Sequence, residues 1–240
     1  MDKTKLSAEN ISLEVSSNNY KQQNFKNFLL NFFNSKKRII LNRINFSLKD
    51  GDRLAIVGRN GSGKSSLLKV ISNIYLPTEG KIQICGSLAS IIEMSLGFDE
   101  EFSLIDNIYF ALSLKGFDNS LIKRKVEPIL KFAELEDFRY EQLKNLSSGM
   151  RSRLSFAIGT EFNADILILD EVFAAGDRFF LQKAKNKMLK KIEKAKILLF
   201  VSHREDLIRE LCNRVIVMEH GKVMFDGSVD KGLKFYSENK

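Results

Sequence analysis

The octapeptide Gly58-Arg59-Asn60-Gly61-Ser62-Gly63-Lys64-Ser65 constrains this chain more than any other stretch. It fits the pattern glycine, four residues, glycine, lysine, then serine or threonine, whose confirming context is a strand before it and a helix after it. The flanks supply both, since Arg53 to Val57 reads as a strand and Lys64 to Ser72 as a helix. The three glycines let the backbone curl so that successive N–H groups face inward, and the helix adds its positive N-terminal end. Such a concavity suits phosphate oxygens. Arg59, Asn60, Ser62 and Ser66 stand where they can add contacts to phosphates, Lys64 can reach the β- and γ-phosphates, and Ser65 can ligate Mg²⁺.

The remaining pattern carries the same architecture forward. Lys81 to Ile84 and Leu88 to Ile92 read as strands, followed by helical periods over Leu104 to Lys115, Ser120 to Ala133 and Ser147 to Phe162. Ile166 to Leu169 and Ile197 to Val201 are apolar throughout, as strands covered on both faces are, and a helix over Phe179 to Lys194 lies between them. Buried strands alternating with helices predict an α/β fold with a mainly parallel sheet, and the helix-only block at about 98–162 is expected to be a subdomain inserted into it. Only two prolines and no low-complexity linker interrupt the chain, so one domain over 1–240 is expected.

Composition narrows the setting. With 44% apolar residues among 240, the chain can bury a core, and the balance of 38 Lys and Arg against 30 Asp and Glu gives +8, which favours an anionic partner without choosing among nucleic acid, phosphate ligand and lipid. No apolar run reaches the ~18 residues of a spanning helix, and the polar N-terminus does not read as a secretory signal. Cys85 and Cys212 lack a CxxC partner and read as small buried hydrophobes within a strand and a helix, in a reducing compartment. Between the first strand, near Ile11 to Val15, and the next, Asn45 to Leu48, residues Phe25, Phe28, Leu29, Phe32 and Phe33 share one helical face flanked by lysines. That face packs on the domain, or meets a partner or the inner membrane surface.

Triphosphate chemistry needs acids near the phosphates, and the strand Ile166 to Leu169 leads into Asp170-Glu171 at the sheet edge where ligands of open α/β sheets bind. Asp170 is the candidate to hold Mg²⁺ through its water shell, and Glu171 the candidate general base for an attacking water. The strand Ile197 to Val201 leads into Ser202-His203, and the His203 imidazole can donate to a γ-phosphate; the alternative is a histidine satisfied in a turn. His220, in a Glu-His-Gly turn, reads as structural.

These elements resemble the nucleotide-binding cassette of ABC transporters, and Leu146-Ser147-Ser148-Gly149-Met150, opening a helix inside the all-helical block, is similar to the family's LSGGQ signature. The resemblance runs from about Ile11 to Tyr236 and implies a P-loop cassette with an antiparallel β part beside the parallel core. It implies that Ser147, Ser148 and Gly149 of one copy meet the γ-phosphate held by another, so that ATP closes a head-to-tail homodimer. The longer string through Arg151-Ser152-Arg153-Leu154, with Leu96-Gly97-Phe98 and Asp170 to Asp177, looks like the branch that exports capsule, O-antigen and teichoic acid. On that comparison Asp177 bridges the two subunits, Glu93 stands where most cassettes have a magnesium-sensing glutamine, and Tyr20 is the candidate to stack on adenine.

Ser148 and Met150 depart from the usual glycine and glutamine, so the usual contact is not assumed for either. The implied function is ATP hydrolysis driving polysaccharide export, with ATP and Mg²⁺ as cofactors and a separate transmembrane permease as partner. The implied place is the cytoplasmic side of the membrane. No nucleic acid partner and no C-terminal carbohydrate-binding domain are expected. The competing readings are a soluble ABC ATPase acting on nucleic acid or ribosomes, prompted by seven lysines between Lys183 and Lys196, and an exporter of peptide or lipid. Those lysines read more simply as a solvated helix face or one near anionic headgroups.

Overall fold

The structure is a computed structural model that describes residues 4–16, 37–90, 98–170 and 178–239. It divides into two compact units, Met1–Gly86 with Leu199–Lys240, and Ser87–Leu198. In chain order the first unit contributes β1 (Thr4–Ser16), β2 (Lys37–Lys49), β3 (Arg53–Gly58), α1 (Lys64–Ile71) and β4 (Glu79–Ile84). The second contributes β5 (Leu88–Ser90), α2 (Leu104–Leu114), α3 (Asn119–Ala133), α4 (Ser148–Gly159), β6 (Ile166–Asp170) and α5 (Arg178–Lys194). Strand β7 (Ile197–Val201) leads back to the first unit, which ends with α6 (Glu205–Leu211), β8 (Arg214–Glu219), β9 (Lys222–Ser228) and α7 (Val229–Glu238).

In the first unit β1 lies between β2 and β4, antiparallel to both. From Ile44 to Leu48 alternate residues of β2 are buried, because successive side chains of a strand point to opposite faces and only one face meets the core. By contrast β3 is buried from Leu54 onward and pairs in parallel with β8, Leu54 opposite Arg214 and Gly58 opposite Met218. β9 closes on β8 antiparallel through the tight His220-Gly221 turn. Both β1 and β2 extend well beyond the short strands expected from their apolar cores. Cys85 departs from expectation: it sits exposed just past the end of β4, where its N–H donates to the Lys5 carbonyl at 2.7 Å.

In the second unit β5 and β6 pair in parallel, Leu88 opposite Ile166 and Ser90 opposite Ile168. The helical block has its own core, in which Leu104, Ile108, Leu112, Ile122, Ile129 and Leu154 are buried between α2, α3 and α4. Side chains start all three of these helices: Ser103 accepts from the Asp106 N–H, Asp118 from that of Leu121 at 2.9 Å, and Ser147 from that of Met150. Helix α4 stops at Gly159, short of the expected Phe162, as the buried Thr160 hydroxyl turns back to the Ala157 carbonyl at 2.8 Å. The lysines of α5 are also not simply solvated. Lys183, Lys187 and Lys191 recur every fourth residue on one face and reach, in turn, the Phe132 carbonyl, Glu161 and the Phe162 carbonyl.

Candidate functional site

The loop from Gly58 to Ser65 lies wholly in the first unit, following the buried residues of β3 and leading into α1. Its first glycine is required by close approach: a Cβ there would overlap the Met218 carbonyl and stand 2.7 Å from Ser62 Oγ. Gly63, at φ 103, starts α1 in a left-handed conformation, and a Cβ on it would lie 3.0 Å from both the Ile40 carbonyl oxygen and Leu41 Cδ2. Distant chain segments hold the curl. The Ser62 N–H donates to the Arg59 carbonyl at 3.1 Å, the Gly221 N–H donates to the Ser62 carbonyl at 3.0 Å, and the Asn42 N–H donates to the Gly221 carbonyl at 2.8 Å.

Lys64 is buried inside this curl, its Nζ donating to the carbonyls of Gly58 at 2.8 Å and Arg59 at 3.0 Å. Two further features fit an anionic ligand. Among the described residues Ser62 Oγ is buried with no hydrogen-bond partner, an arrangement that costs stability unless a ligand supplies one. Among the described residues no side chain caps α1, which leaves its first N–H groups available to phosphate oxygens. Arg59, Asn60, Gly61 and Ser65 are exposed, and Ser66 is half-buried.

His203 also belongs to the first unit, exposed just after β7, where the Ser202 hydroxyl accepts from the Arg204 N–H at 3.1 Å. Sequence reasoning missed a pair of exposed apolar residues in this unit, Val15 at 47% and Ile39 at 55% exposure, near the end of the β1–β2 ladder. Ile39 directly precedes Ile40, whose carbonyl bounds Gly63. Apolar residues breaking an otherwise polar strand end were the available signal.

Asp170 and the string Ser147-Ser148-Gly149 belong to the second unit. Asp170 ends β6, half-buried after four fully buried residues. Ser147 caps α4, its hydroxyl accepting from the Met150 N–H at 3.2 Å, while Ser148 beside it is also exposed. The methionine that replaces the usual glutamine packs on the helical core. Tyr20, the Phe25 to Phe33 face, Glu93, Glu171 and Asp177 lie outside the described residues.

Charge in the second unit centres on Glu161, which is 15% exposed and accepts from Lys125 at 2.7 Å and Lys187 at 2.9 Å. Burial raises its carboxyl's affinity for a proton, but the two ammonium groups outweigh this and hold its pKa below the usual value. Neighbouring Lys191 is pushed down to about 8, first by burial, with Lys187 and Lys125 adding repulsion against the opposing pull of Glu161. Among the described residues no cluster of three or more His, Cys, Asp or Glu is arranged to hold a metal, and no helix is long and apolar enough to cross a membrane.

Comparison with known proteins extends this geometry. A family model described as ABC transporter matches residues 41–174. The teichoic acids export ATP-binding protein TagH of Staphylococcus saprophyticus is 36% identical over 217 residues, 90% of this chain and 82% of the relative. The O-antigen export system ATP-binding protein RfbE of Yersinia enterocolitica is 40% identical over 190 residues, 79% of each chain. Against TagH of Listeria innocua the match is 36% over 82% of this chain but only 59% of the relative. Among solved structures, a dimeric ATP-binding cassette in a post-hydrolysis state with ADP and Pi superposes with a TM-score of 0.71 at 21% identity, over 93% of this chain and 98% of that one. An ATP-binding subunit of an ABC transporter gives 0.72 at 22% identity, over 98% and 94%.

Proposed function

The chain belongs to the ABC transporter family, and from that membership we propose that it is the ATP-hydrolysing subunit of a polysaccharide exporter, a single ATP-binding domain working as a homodimer on the cytoplasmic side of a separate membrane-spanning permease. The observation that carries ATP binding is the Gly58–Ser65 curl, with Lys64 held inside it and the Ser62 hydroxyl awaiting a partner. The relatives named for teichoic acid and O-antigen export support a glycan cargo. The basic helix α5 argues against nucleic acid, because three of its lysines are engaged by the helical block.

In this reading the loop N–H groups and α1 cradle the phosphates, and Lys64 exchanges its two backbone carbonyls for β- and γ-phosphate oxygens. Val15 and Ile39 offer the adenine an apolar contact in addition to the candidate Tyr20. Ser65 and Asp170 carry the hard oxygen donors that Mg²⁺ prefers, and would hold it. The ion, when bound, neutralises charge on the β- and γ-phosphates. Glu171 orients the attacking water and accepts its proton, His203 donates to the γ-phosphate, and Glu93 and Asp177 relay between ion, permease and partner copy. Ser147, Ser148 and Gly149 present the α4 N-terminus to the triphosphate of the other copy, closing the dimer until hydrolysis reopens it.

The test is Glu171→Gln, which should keep ATP binding, stop turnover and accumulate a nucleotide-bound dimer in size-exclusion chromatography. Hydrolysis at the wild-type rate would remove Glu171 from the mechanism. Co-purification of the tagged chain from gently solubilised membranes should bring down a stoichiometric multi-spanning protein. Recovery with RNA and no membrane protein would overturn the exporter assignment.

A further inference from the structure

Four residues beyond the cap of α4, Arg151 folds its guanidinium back over the segment that leads into the helix. Nε donates to the Leu146 carbonyl at 3.1 Å and one terminal nitrogen to the Lys144 carbonyl at 2.9 Å. The other reaches Glu100 Oε1 at 2.8 Å. Only the planar fork of an arginine can satisfy two carbonyls and a carboxylate in fixed directions. Glu100 is itself anchored, because residues 99–104 are laced to 141–144. The Lys144 N–H donates to the Glu100 carbonyl at 3.0 Å, the Leu143 N–H to that of Phe102 at 3.0 Å, and the Leu104 N–H to that of Glu141 at 3.1 Å. From the other side fully buried Asn107 accepts from the Asp99 N–H at 2.9 Å and donates to the carbonyls of Asp99, Phe102 and Ser103.

A cation in the first turn of a helix opposes the helix dipole, and α4 has no acidic residue there to offset it. What holds Arg151 in place is the two carbonyls and Glu100. Its charge therefore adds to the positive field of the helix end while its fork sets the angle at which Ser147 and Ser148 emerge. We propose that Arg151, braced by Glu100, is a positioning residue that orients the Ser147-Ser148-Gly149 end of α4 toward the triphosphate carried by a second copy of the chain. The proposal rests on the reading of that helix end as the trans phosphate contact.

The experiment compares Arg151→Ala, Arg151→Lys and Glu100→Gln in the full chain. It reads binding of a fluorescent ATP analogue to the monomer, the ATP-driven dimer constant in the Glu171→Gln background, and kcat and KM. Losing three hydrogen bonds, one to a charged group, should weaken the dimer and lower kcat by about tenfold or more in Arg151→Ala. Nucleotide affinity of the monomer should stay within about twofold, since that loop lies in the other unit and loses none of these bonds. Arg151→Lys should recover part of the loss and Glu100→Gln should lose less. A merely structural role would move the melting temperature without separating dimerisation from nucleotide binding. Should Arg151→Ala disturb nucleotide binding as well, Glu100→Gln decides, and a wild-type dimer constant there overturns the proposal. Ser147→Arg separates the two levels. If it abolishes the dimer while Arg151→Ala leaves the constant unchanged, the positioning role fails alone; if neither changes it, the reading of the helix end fails too.

Discussion

Replacing Glu161 with glutamine tests whether charge pairing locks α5 onto the helical block. The carboxylate meets Lys125 at 2.7 Å and Lys187 at 2.9 Å, and these lysines are 23% and 25% exposed. At an effective dielectric near 20, each contact has a gross attraction of about 6 kcal/mol, most of it cancelled by taking the charges out of water. Glutamine keeps the shape but leaves two half-buried ammonium groups without a counter-charge. Removing one partner from a fully buried pair costs about 3–5 kcal/mol, and the partial exposure of both lysines reduces this to about 2–3 kcal/mol. For a chain of this size that corresponds to a fall in Tm of about 5–10 °C, measurable by differential scanning calorimetry or urea titration. The pH dependence gives a second check. The folded pKa of Glu161 is depressed, so its contribution is fully present above the unfolded value of about 4.3 and is lost as pH falls through the lower folded value. Glutamine does not titrate, so the gap between wild type and variant should be constant near neutrality and narrow on acidification. A gap below about 0.5 kcal/mol at pH 7, or one that does not change down to pH 3, would refute the reasoning.

Gly58→Ala should place a methyl against the Met218 carbonyl and 2.7 Å from Ser62 Oγ, forcing the curl open. With overpacking strain of about 1–3 kcal/mol, ATP affinity by calorimetric titration should fall about tenfold or more, and wild-type affinity would show that the curl does not bind phosphate. Alkylation with iodoacetamide at pH 8 should modify exposed Cys85 and leave Cys212 untouched until the chain is denatured, because burial pushes that thiol's pKa up to about 12. Two adducts on the native protein by mass spectrometry would contradict this.

What neighbouring residues encode is legible in the sequence. The strand, curl and helix around Gly58 to Ser65 follow from glycine freedom and apolar runs within a few residues of one another, and the structure reproduces them within a residue. The same holds for the Ser147 cap and for β6 ending at Asp170, where hydrogen bonding and burial act over one turn or one strand. Lys183 to Lys196 was read less well. Its charge pattern suits a solvated face, and only the packing of α5 against Phe132, Glu161 and Phe162 shows lysine nitrogens engaged there, two of them also over the Phe132 ring at 4.8 and 4.2 Å.

The sequence by itself determined three local devices of this protein, a glycine-rich curl between a strand and a helix, an acid after a buried strand and a serine-capped helix, each with its parts within a few residues. Tertiary structure alone decided how those devices are held. Gly221 steadies the curl through Ser62, Met218 leaves Gly58 no room for a side chain, and Arg151 grips Glu100 from 51 residues away. Such contacts join segments that no periodicity relates, because which distant backbone carbonyls and side chains meet is settled only when the buried cores close around them.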